Sequence, residues 1–121
     1  MNSKQTGDLG EKLAREYLKA RGYRIITTNY YCQEGEVDII ARHGENLVFV
    51  EVRTRRSAEY GSAAESITDV KKGRLRLSAQ RYLQEMEYEE CPCRIDAVLV
   101  TFTDSRSIPL IEHIENAVEG E

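Results

Sequence analysis

The first 22 residues show the hydrophobic periodicity of an amphipathic helix. Residues 6–21 place apolar side chains, among them Leu13 and Leu18, on one half of the helical circumference. Thr6 is suited to cap this helix and Gly22 to end it. Glu11 falls at the edge of the apolar half, so its carboxylate can point along the core boundary. The alternative is a solvated Glu11 paired with Arg15 one turn later.

After Gly22 the period changes to that of β-branched and aromatic strands. A short turn at 43–46 joins two of these strands, which predicts an antiparallel hairpin. The pattern predicts strands over 23–31, 36–41, 47–53, 94–102 and 108–114 and a polar loop over 54–66. It also predicts a second helix that is capped by Thr68 and runs to about residue 86, and a short helical or frayed end. The order αβββαββ predicts an α/β fold with a central mixed β-sheet flanked by helices.

Composition is that of one globular domain. The 121 residues are 40% hydrophobic and 31% charged, which excludes a disordered or fibrous chain, and we expect a single domain over 1–121. No apolar run approaches the roughly 20 residues that cross a bilayer, and residues 1–5 lack the apolar core of a signal peptide. The three cysteines form no CxxC pair. We therefore expect a cytoplasmic protein with reduced thiols and no membrane partner.

Two carboxylates interrupt the apolar strands of the predicted hairpin. Asp38 lies five residues before the turn and Glu51 five residues after it, so an antiparallel hairpin would place them opposite one another. A buried carboxylate is costly unless it is paired or coordinates a metal, and two facing carboxylates repel. A divalent cation between them, Mg²⁺ or Mn²⁺, resolves the repulsion. The alternative is that Asp38 pairs with Arg53 while Glu51 lies on a solvent-facing edge.

The net charge of −4 is unevenly distributed. Residues 53–81 hold eight basic and three acidic side chains, so this middle segment is basic while the rest of the chain is acidic. This is the charge pattern of a phosphate-binding face, although such runs are often only solvated surface. Tyr60, in the loop after the basic cluster, is a candidate for stacking on a base. The candidate nucleic-acid contacts are Arg55, Arg56, Tyr60, Lys71, Lys72 and Arg74.

The order of these motifs resembles that of a known family. Residues 35–40 read Gly-Glu-Val-Asp-Ile-Ile and residues 49–55 read Phe-Val-Glu-Val-Arg-Thr-Arg, with Glu11 on the preceding helix. Together with Lys-Lys at 71–72 and Arg-Ile-Asp at 94–96, they resemble the uncharacterised bacterial YraN family over nearly the whole chain. That family is similar to the archaeal Holliday-junction resolvases of the restriction-endonuclease-like superfamily.

The resemblance implies a restriction-endonuclease-like core and a metal-dependent nuclease that acts on DNA, including branched DNA. Asp38 and Glu51 would hold Mg²⁺ or Mn²⁺, the backbone carbonyl of Val52 would be a further ligand, and Glu11 would complete the acidic cluster. Resolvases of the resembled group act as homodimers, so a homodimer is a further expectation.

The chain departs from the family pattern where a lysine is expected two residues after Glu51. Arg53 stands there, and an arginine can clamp a phosphate but cannot act as a base near neutral pH. Lys71 is a candidate replacement, for phosphate contact more than for base chemistry, unless it only reaches over the helix end to water. Three functions stay open: a nuclease, a nucleic-acid-binding module whose catalysis has lapsed, and a protein-interaction domain that docks through acidic segments such as 85–90.

Overall fold

A computed structural model describes residues 2–56, 67–88, 90–103 and 108–118. These residues form two helices and five strands in the predicted order αβββαββ. Their bounds are α1 (Ser3–Ala20), β1 (Arg24–Cys32), β2 (Gly35–His43), β3 (Asn46–Arg55), α2 (Asp69–Glu85), β4 (Cys93–Thr101) and β5 (Leu110–Val118).

The strands form one mixed sheet in the order β1-β2-β3-β4-β5. β3 and β4 are parallel, and the other neighbours are antiparallel. A parallel pair needs a crossover connection, which α2 supplies between β3 and β4. The prediction of a mixed α/β sheet flanked by helices is therefore confirmed.

The two helices cover opposite faces of this sheet. On one face, Ala14 and Leu18 of α1 pack with side chains of β2, β3 and β4 in what we call the α1-side cluster. On the other face, Leu75, Ala79 and Tyr82 of α2 form the α2-side cluster with the alternate strand side chains. The central strands are buried on both faces, and their side chains are therefore nearly continuously apolar. A charged side chain within them is conspicuous for the same reason.

The first helix begins earlier than its apolar pattern predicted. Asn2 is the N-cap: its side chain accepts from the backbone N–H of Gln5, and the Gln5 side chain accepts from the Asn2 N–H. Thr6 lies inside the first turn, where its hydroxyl donates to the Asn2 carbonyl at 3.0 Å. The prediction that Thr6 caps α1 was wrong because a complete capping box lies four residues upstream.

Small side chains bring α1 close to β3. The buried positions of the helix, Thr6, Gly10, Ala14 and Leu18, recur at every fourth residue. At Gly10 the approach is so close that an added Cβ would lie 2.1 Å from the Thr54 hydroxyl oxygen. This contact fixes α1 against the end of β3 and sets the position of Glu11, the next residue along the helix.

Other boundaries agree with the sequence to within a few residues, with two differences. Thr68 caps α2 as predicted. β3 extends to Arg55, so Arg55 belongs to a strand and not to the predicted loop, while residues 57–66, including Tyr60, lie outside the described residues. β5 continues to a buried Val118, which pairs with Ile95 of β4 beyond an irregularity in the register, where a helical or frayed end was expected.

Within the parts of the chain that the structure describes, neither helix has the length and hydrophobicity needed to cross a membrane.

Candidate metal centre

The β2–β3 hairpin stops pairing at the two acidic positions. Its ladder runs from His43–Asn46 to Ile39–Val50. At the next level, Oδ2 of Asp38 accepts a 2.7 Å hydrogen bond from the backbone N–H of Val52. The expectation of a direct ladder pair between Asp38 and Glu51 therefore needs correction: the Asp38 side chain, and not its backbone, bonds β3 here.

The backbone of β2 is irregular at the same level. Val37 packs in the α2-side cluster and Ile39 in the α1-side cluster, so the alternation of faces is interrupted at Asp38. On β1, Thr28 pairs with Ile39 and Tyr30 with Val37. Asn29 between them has a φ of 52°, in the left-handed region that asparagine tolerates better than most residues. The sheet is thus distorted on both sides of Asp38.

Asp38 and Glu51 are neighbours in a buried environment. Their exposed fractions are 9% and 2%, so Glu51 does not lie on a solvent-facing edge. Burial raises the pKa of Asp38 well above its ordinary value, and the nearby Glu51 carboxylate raises it further, against the opposing effect of the Val52 N–H. Burial also raises the pKa of Glu51, opposed by Lys71 and Arg53. Both carboxylates are thus held where their charged forms are disfavoured.

Two cations approach one oxygen of Glu51. Oε2 lies 3.5 Å from Nζ of Lys71 and 3.8 Å from Nη1 of Arg53. Arg53 therefore pairs with Glu51, whereas the sequence alternative paired it with Asp38. The other oxygen, Oε1, is buried, and no residue in the described ranges donates a hydrogen bond to it. A buried acceptor without a donor is rare in folded proteins and calls for an explanation, such as an ion.

Glu11 reaches the edge of this centre from α1. Its Oε1 accepts from the side-chain amide of Asn29 at 3.3 Å, and the same amide nitrogen donates to Oε2 of Glu36 at 3.0 Å. Glu11 thus contacts Asn29 in place of the alternative partner Arg15. Both Glu11 and Glu36 also help to raise the pKa of Asp38, so the two carboxylates lie within electrostatic range of it.

Sequence reasoning missed the roles of Asn29 and Glu36. Glu36 lies two residues before Asp38 in the Gly-Glu-Val-Asp motif, so the motif itself carried a signal for it. Asn29 is a poor strand former inside a strand of β-branched and aromatic residues. Its presence there was the one feature of the sequence that indicated a role other than strand formation.

The donor set fits a hard divalent cation held by two carboxylates. Asp38 and Glu51 supply the oxygen ligands that Mg²⁺ and Mn²⁺ prefer, and Oε1 of Glu51 is a buried oxygen available to a cation. Among the residues placed by the structure, no three His, Cys, Asp or Glu side chains converge closely enough to form a metal site by themselves. Glu11, which contacts Asn29, is therefore not part of a compact triad, and ligation by the Val52 carbonyl stays a prediction.

The basic candidates lie in two places. At the end of β3, Arg55 donates to the Thr101 hydroxyl at 3.2 Å and Arg56 donates to the Thr6 hydroxyl at 3.0 Å. They line a cleft of about 250 Å³ together with the first turn of α1. In the first turns of α2, Lys71 contacts Glu51, Lys72 is half-buried, and Arg74 is exposed. Tyr60, the stacking candidate, falls outside the described residues.

A third buried acid, Asp96 on β4, has a structural role. Its carboxylate accepts from Arg94 at 3.0 Å, from the backbone N–H of Asn116 at 2.9 Å, and contacts Nε2 of His113 at 2.8 Å. Its basic partners, Arg94 and His113, lie on the strands β4 and β5. The network is satisfied within itself, unlike the centre at Glu51.

Comparison with known proteins identifies the family. The model of the uncharacterised protein family UPF0102 matches residues 10–100, which include Glu11, Asp38 and Glu51. A UPF0102 protein of Dehalococcoides mccartyi is 52% identical over 120 residues, covering 99% of this chain and 98% of that protein. One from Pelotomaculum thermopropionicum is 46% identical over 114 residues, covering 94% and 95%. The chain therefore belongs to the uncharacterised protein family UPF0102, in agreement with its YraN-like motifs.

Proposed function

We propose that this protein is a metal-dependent endonuclease that hydrolyses phosphodiester bonds in DNA, including branched DNA. The observation that carries the proposal is the burial of Asp38 and Glu51 as neighbours, with Oε1 of Glu51 lacking a hydrogen-bond donor among the described residues. Such an arrangement is unfavourable for the protein alone, and a divalent cation would relieve it.

The position of the centre in the sheet also supports this function. Asp38 and Glu51 lie where two central strands separate, and α1 and α2 bring Glu11 and Lys71 toward this region from opposite faces. The restriction-endonuclease-like resemblance, which rests on the same residues, is consistent with this placement. The ordered sheet positions the carboxylates on rigid elements, which is what a site for precise chemistry requires.

In this mechanism Asp38 and Glu51 would hold the cation, with the Val52 carbonyl as the further ligand and Glu11 at the edge. The cation, when bound, lowers the pKa of a water and neutralises charge that develops on the phosphodiester. The Val52 N–H keeps the Asp38 carboxylate oriented, and Asn29 does the same for Glu11. The Arg53 side chain is 45% exposed, so it can turn toward a phosphate and stabilise the transition-state charge.

The DNA itself would be held by the basic residues around the centre. Arg55 and Arg56 at the end of β3, and Lys71, Lys72 and Arg74 in α2, provide phosphate contacts that do not read sequence. A branched junction presents two symmetric strands, so a homodimer is the matching assembly. Sedimentation with and without a four-way junction measures this part of the proposal.

Calorimetric titration of Mg²⁺ and Mn²⁺ tests the metal centre directly. We expect saturable binding by the wild type and none by the double variant Asp38→Asn/Glu51→Gln. A control that removes two exposed carboxylates from α1, Asp8→Asn/Glu16→Gln, has the same net charge and should bind like the wild type. Cleavage of four-way junctions, flaps and plain duplexes is then measured for the same three proteins. Absence of binding by the wild type, even with DNA added, would overturn the enzyme proposal.

Arg53 favours a second candidate, a DNA-binding module on the same fold whose catalysis has lapsed. An arginine keeps the phosphate contact but not the proton transfer that a lysine can provide. The variant Arg53→Lys separates the two functions. Cleavage by the wild type supports the enzyme, whereas cleavage only by Arg53→Lys, with DNA binding by both, supports the lapsed module.

A further inference from the structure

We infer that Lys71 is a displaceable counter-ion: it neutralises Glu51 in the metal-free protein and is released toward the DNA phosphate when a divalent cation binds. This inference rests on the metal centre proposed above and names a role for a residue of α2 within it. Glu51 would be neutralised first by Lys71 and then by the cation.

The backbone of Lys71 is anchored at the start of α2, and its side chain contacts Glu51. Its backbone N–H donates to the hydroxyl of Thr68, the N-cap of α2, at 3.2 Å. Its Nζ lies 3.5 Å from Oε2 of Glu51, nearer than the Arg53 guanidinium at 3.8 Å. The start of the helix thus holds the main chain while the four-carbon side chain spans to the carboxylate.

The ion pair is loose enough to be replaced. Charge-assisted hydrogen bonds between nitrogen and a carboxylate are about 2.7–2.9 Å long, shorter than the 3.5 Å seen here. The Lys71 side chain is 37% exposed while the Glu51 side chain is 3% exposed, so the lysine has a path to solvent that the carboxylate lacks. Oε1 of Glu51 still has no donor among the described residues, so Lys71 neutralises the acid only in part.

A divalent cation at Glu51 would compete with the ammonium group. The Lys71 ammonium and the Arg53 guanidinium already face Glu51, and a divalent cation would add two more positive charges beside them. Repulsion from the cation would therefore weaken the lysine contact. The flexible, compact lysine head can then turn outward to a phosphate. If Lys71 instead only positioned the carboxylate, its removal would weaken metal binding.

Lys71→Met, compared with Lys72→Met, tests the competition. Each variant removes one positive charge from the first turn of α2, but only Lys71 makes the contact with Glu51. In calorimetric titrations with Mg²⁺ and Mn²⁺ alone, we expect Lys71→Met to bind about fivefold more tightly than the wild type and Lys72→Met to differ from it by less than about twofold. Lys71→Arg, which keeps the charge, should remain near the wild type.

Thermal unfolding gives a second measurement that does not depend on activity. In EDTA, Lys71→Met should have a lower Tm than Lys72→Met because its carboxylates have lost a counter-ion. Saturating Mg²⁺ should remove most of that difference, since the cation takes over the role of the ammonium. With metal present, Lys71→Met should also bind DNA more weakly than the wild type, because the released ammonium no longer contacts the phosphate.

The outcomes separate this inference from the proposed function. If the wild type binds the cation but Lys71→Met binds it equally or more weakly while folded, the counter-ion role is overturned and the metal centre stands. If the wild type binds no cation with or without DNA, the metal centre fails and the counter-ion role fails with it.

Discussion

The backbone N–H of Val52 donates a 2.7 Å hydrogen bond to the carboxylate of Asp38, at the level where β2 and β3 cease to pair. A side-chain oxygen thereby replaces the backbone carbonyl that a continuing ladder would provide. Because Val52 follows Glu51 directly, this one bond fixes the strand that carries the second acid. The same bond ties the geometry of the centre to the stability of the sheet.

Asp38→Asn is expected to stabilise the metal-free protein. The asparagine oxygen can still accept from Val52, while the cost of burying an ionisable carboxyl group beside Glu51 is removed. In EDTA near pH 7 we expect an increase of about 1–2 kcal/mol in the free energy of unfolding. Chemical denaturation of both proteins measures this difference, and Asp8→Asn, at an exposed site on α1, should change stability by less than about 0.5 kcal/mol.

The effect of Asp38→Asn should depend on pH in a defined direction. The folded-state pKa of Asp38 is raised, first by burial and then by Glu51, so the wild type is favoured below the unfolded value near 3.8 and loses this advantage as pH rises. The gain from the variant should therefore grow from acid toward alkaline pH. A gain that is constant with pH would contradict the assignment of the effect to this carboxylate.

Gly10→Ala is expected to destabilise the protein, and Gly7→Ala is not. A Cβ at Gly10 would lie 2.1 Å from the Thr54 hydroxyl oxygen, so α1 would have to move off β3 at a cost of about 1–3 kcal/mol. At Gly7, on the same helix, an added Cβ meets nothing within 4 Å, and alanine should stabilise by about 0.5–1 kcal/mol. Urea unfolding measures the free energy of unfolding, which should fall for Gly10→Ala and rise for Gly7→Ala. Equal changes in the two variants would contradict the close contact.

The order of helices and strands was predictable because the period of the hydrophobic positions changes sharply between one element and the next. The hairpin register was also predictable, since the short turn at 43–46 fixes it as far as Ile39–Val50. The separation of the strands at Asp38 was not, because it depends on a side chain replacing a backbone acceptor and on the left-handed conformation of Asn29. Local patterns do not encode such a distortion.

The acids of the centre were predictable for a simple reason, and their partners were not. A carboxylate among apolar strand residues stands out, which identified Asp38 and Glu51. The Asn29 amide between Glu11 and Glu36, and the Asp96 network with His113, join residues 7 to 18 positions apart through the tertiary fold. The periodicity of one element carries no information about which residues of another element it will meet.

Asp96→Asn is expected to lower stability by about 2–3 kcal/mol at pH 7, because it takes away the buried anionic partner of the largely buried Arg94. Burial opposes ionisation of Asp96, but hydrogen bonds from His113, Arg94 and the Asn116 N–H outweigh it and lower the pKa. The stabilisation is thus present above the unfolded value of 3.8 and is lost as pH falls through the folded pKa.

Glu115→Gln is the matched control for Asp96→Asn. Glu115 approaches the same guanidinium at 3.9 Å, but its side chain is 63% exposed, and its loss should cost less than about 0.5 kcal/mol. Thermal unfolding of the three proteins between strongly acid and neutral pH measures both effects. Equal losses in the two variants, or a loss from Asp96→Asn that is undiminished at acid pH, would contradict the buried network.

Lys72→Met and Arg74→Met should each weaken DNA binding and reduce its salt dependence. Both side chains lie in the first turns of α2, beside Lys71 and the acidic centre. If each neutralises one phosphate, its removal lowers the slope of log affinity against log salt by about 1. Fluorescence anisotropy with a labelled four-way junction, between about 50 and 200 mM salt, measures the slopes. Lys19→Met, which removes one charge from the last turn of α1, should leave the slope unchanged, and equal slopes in all three variants would exclude α2 from the DNA interface.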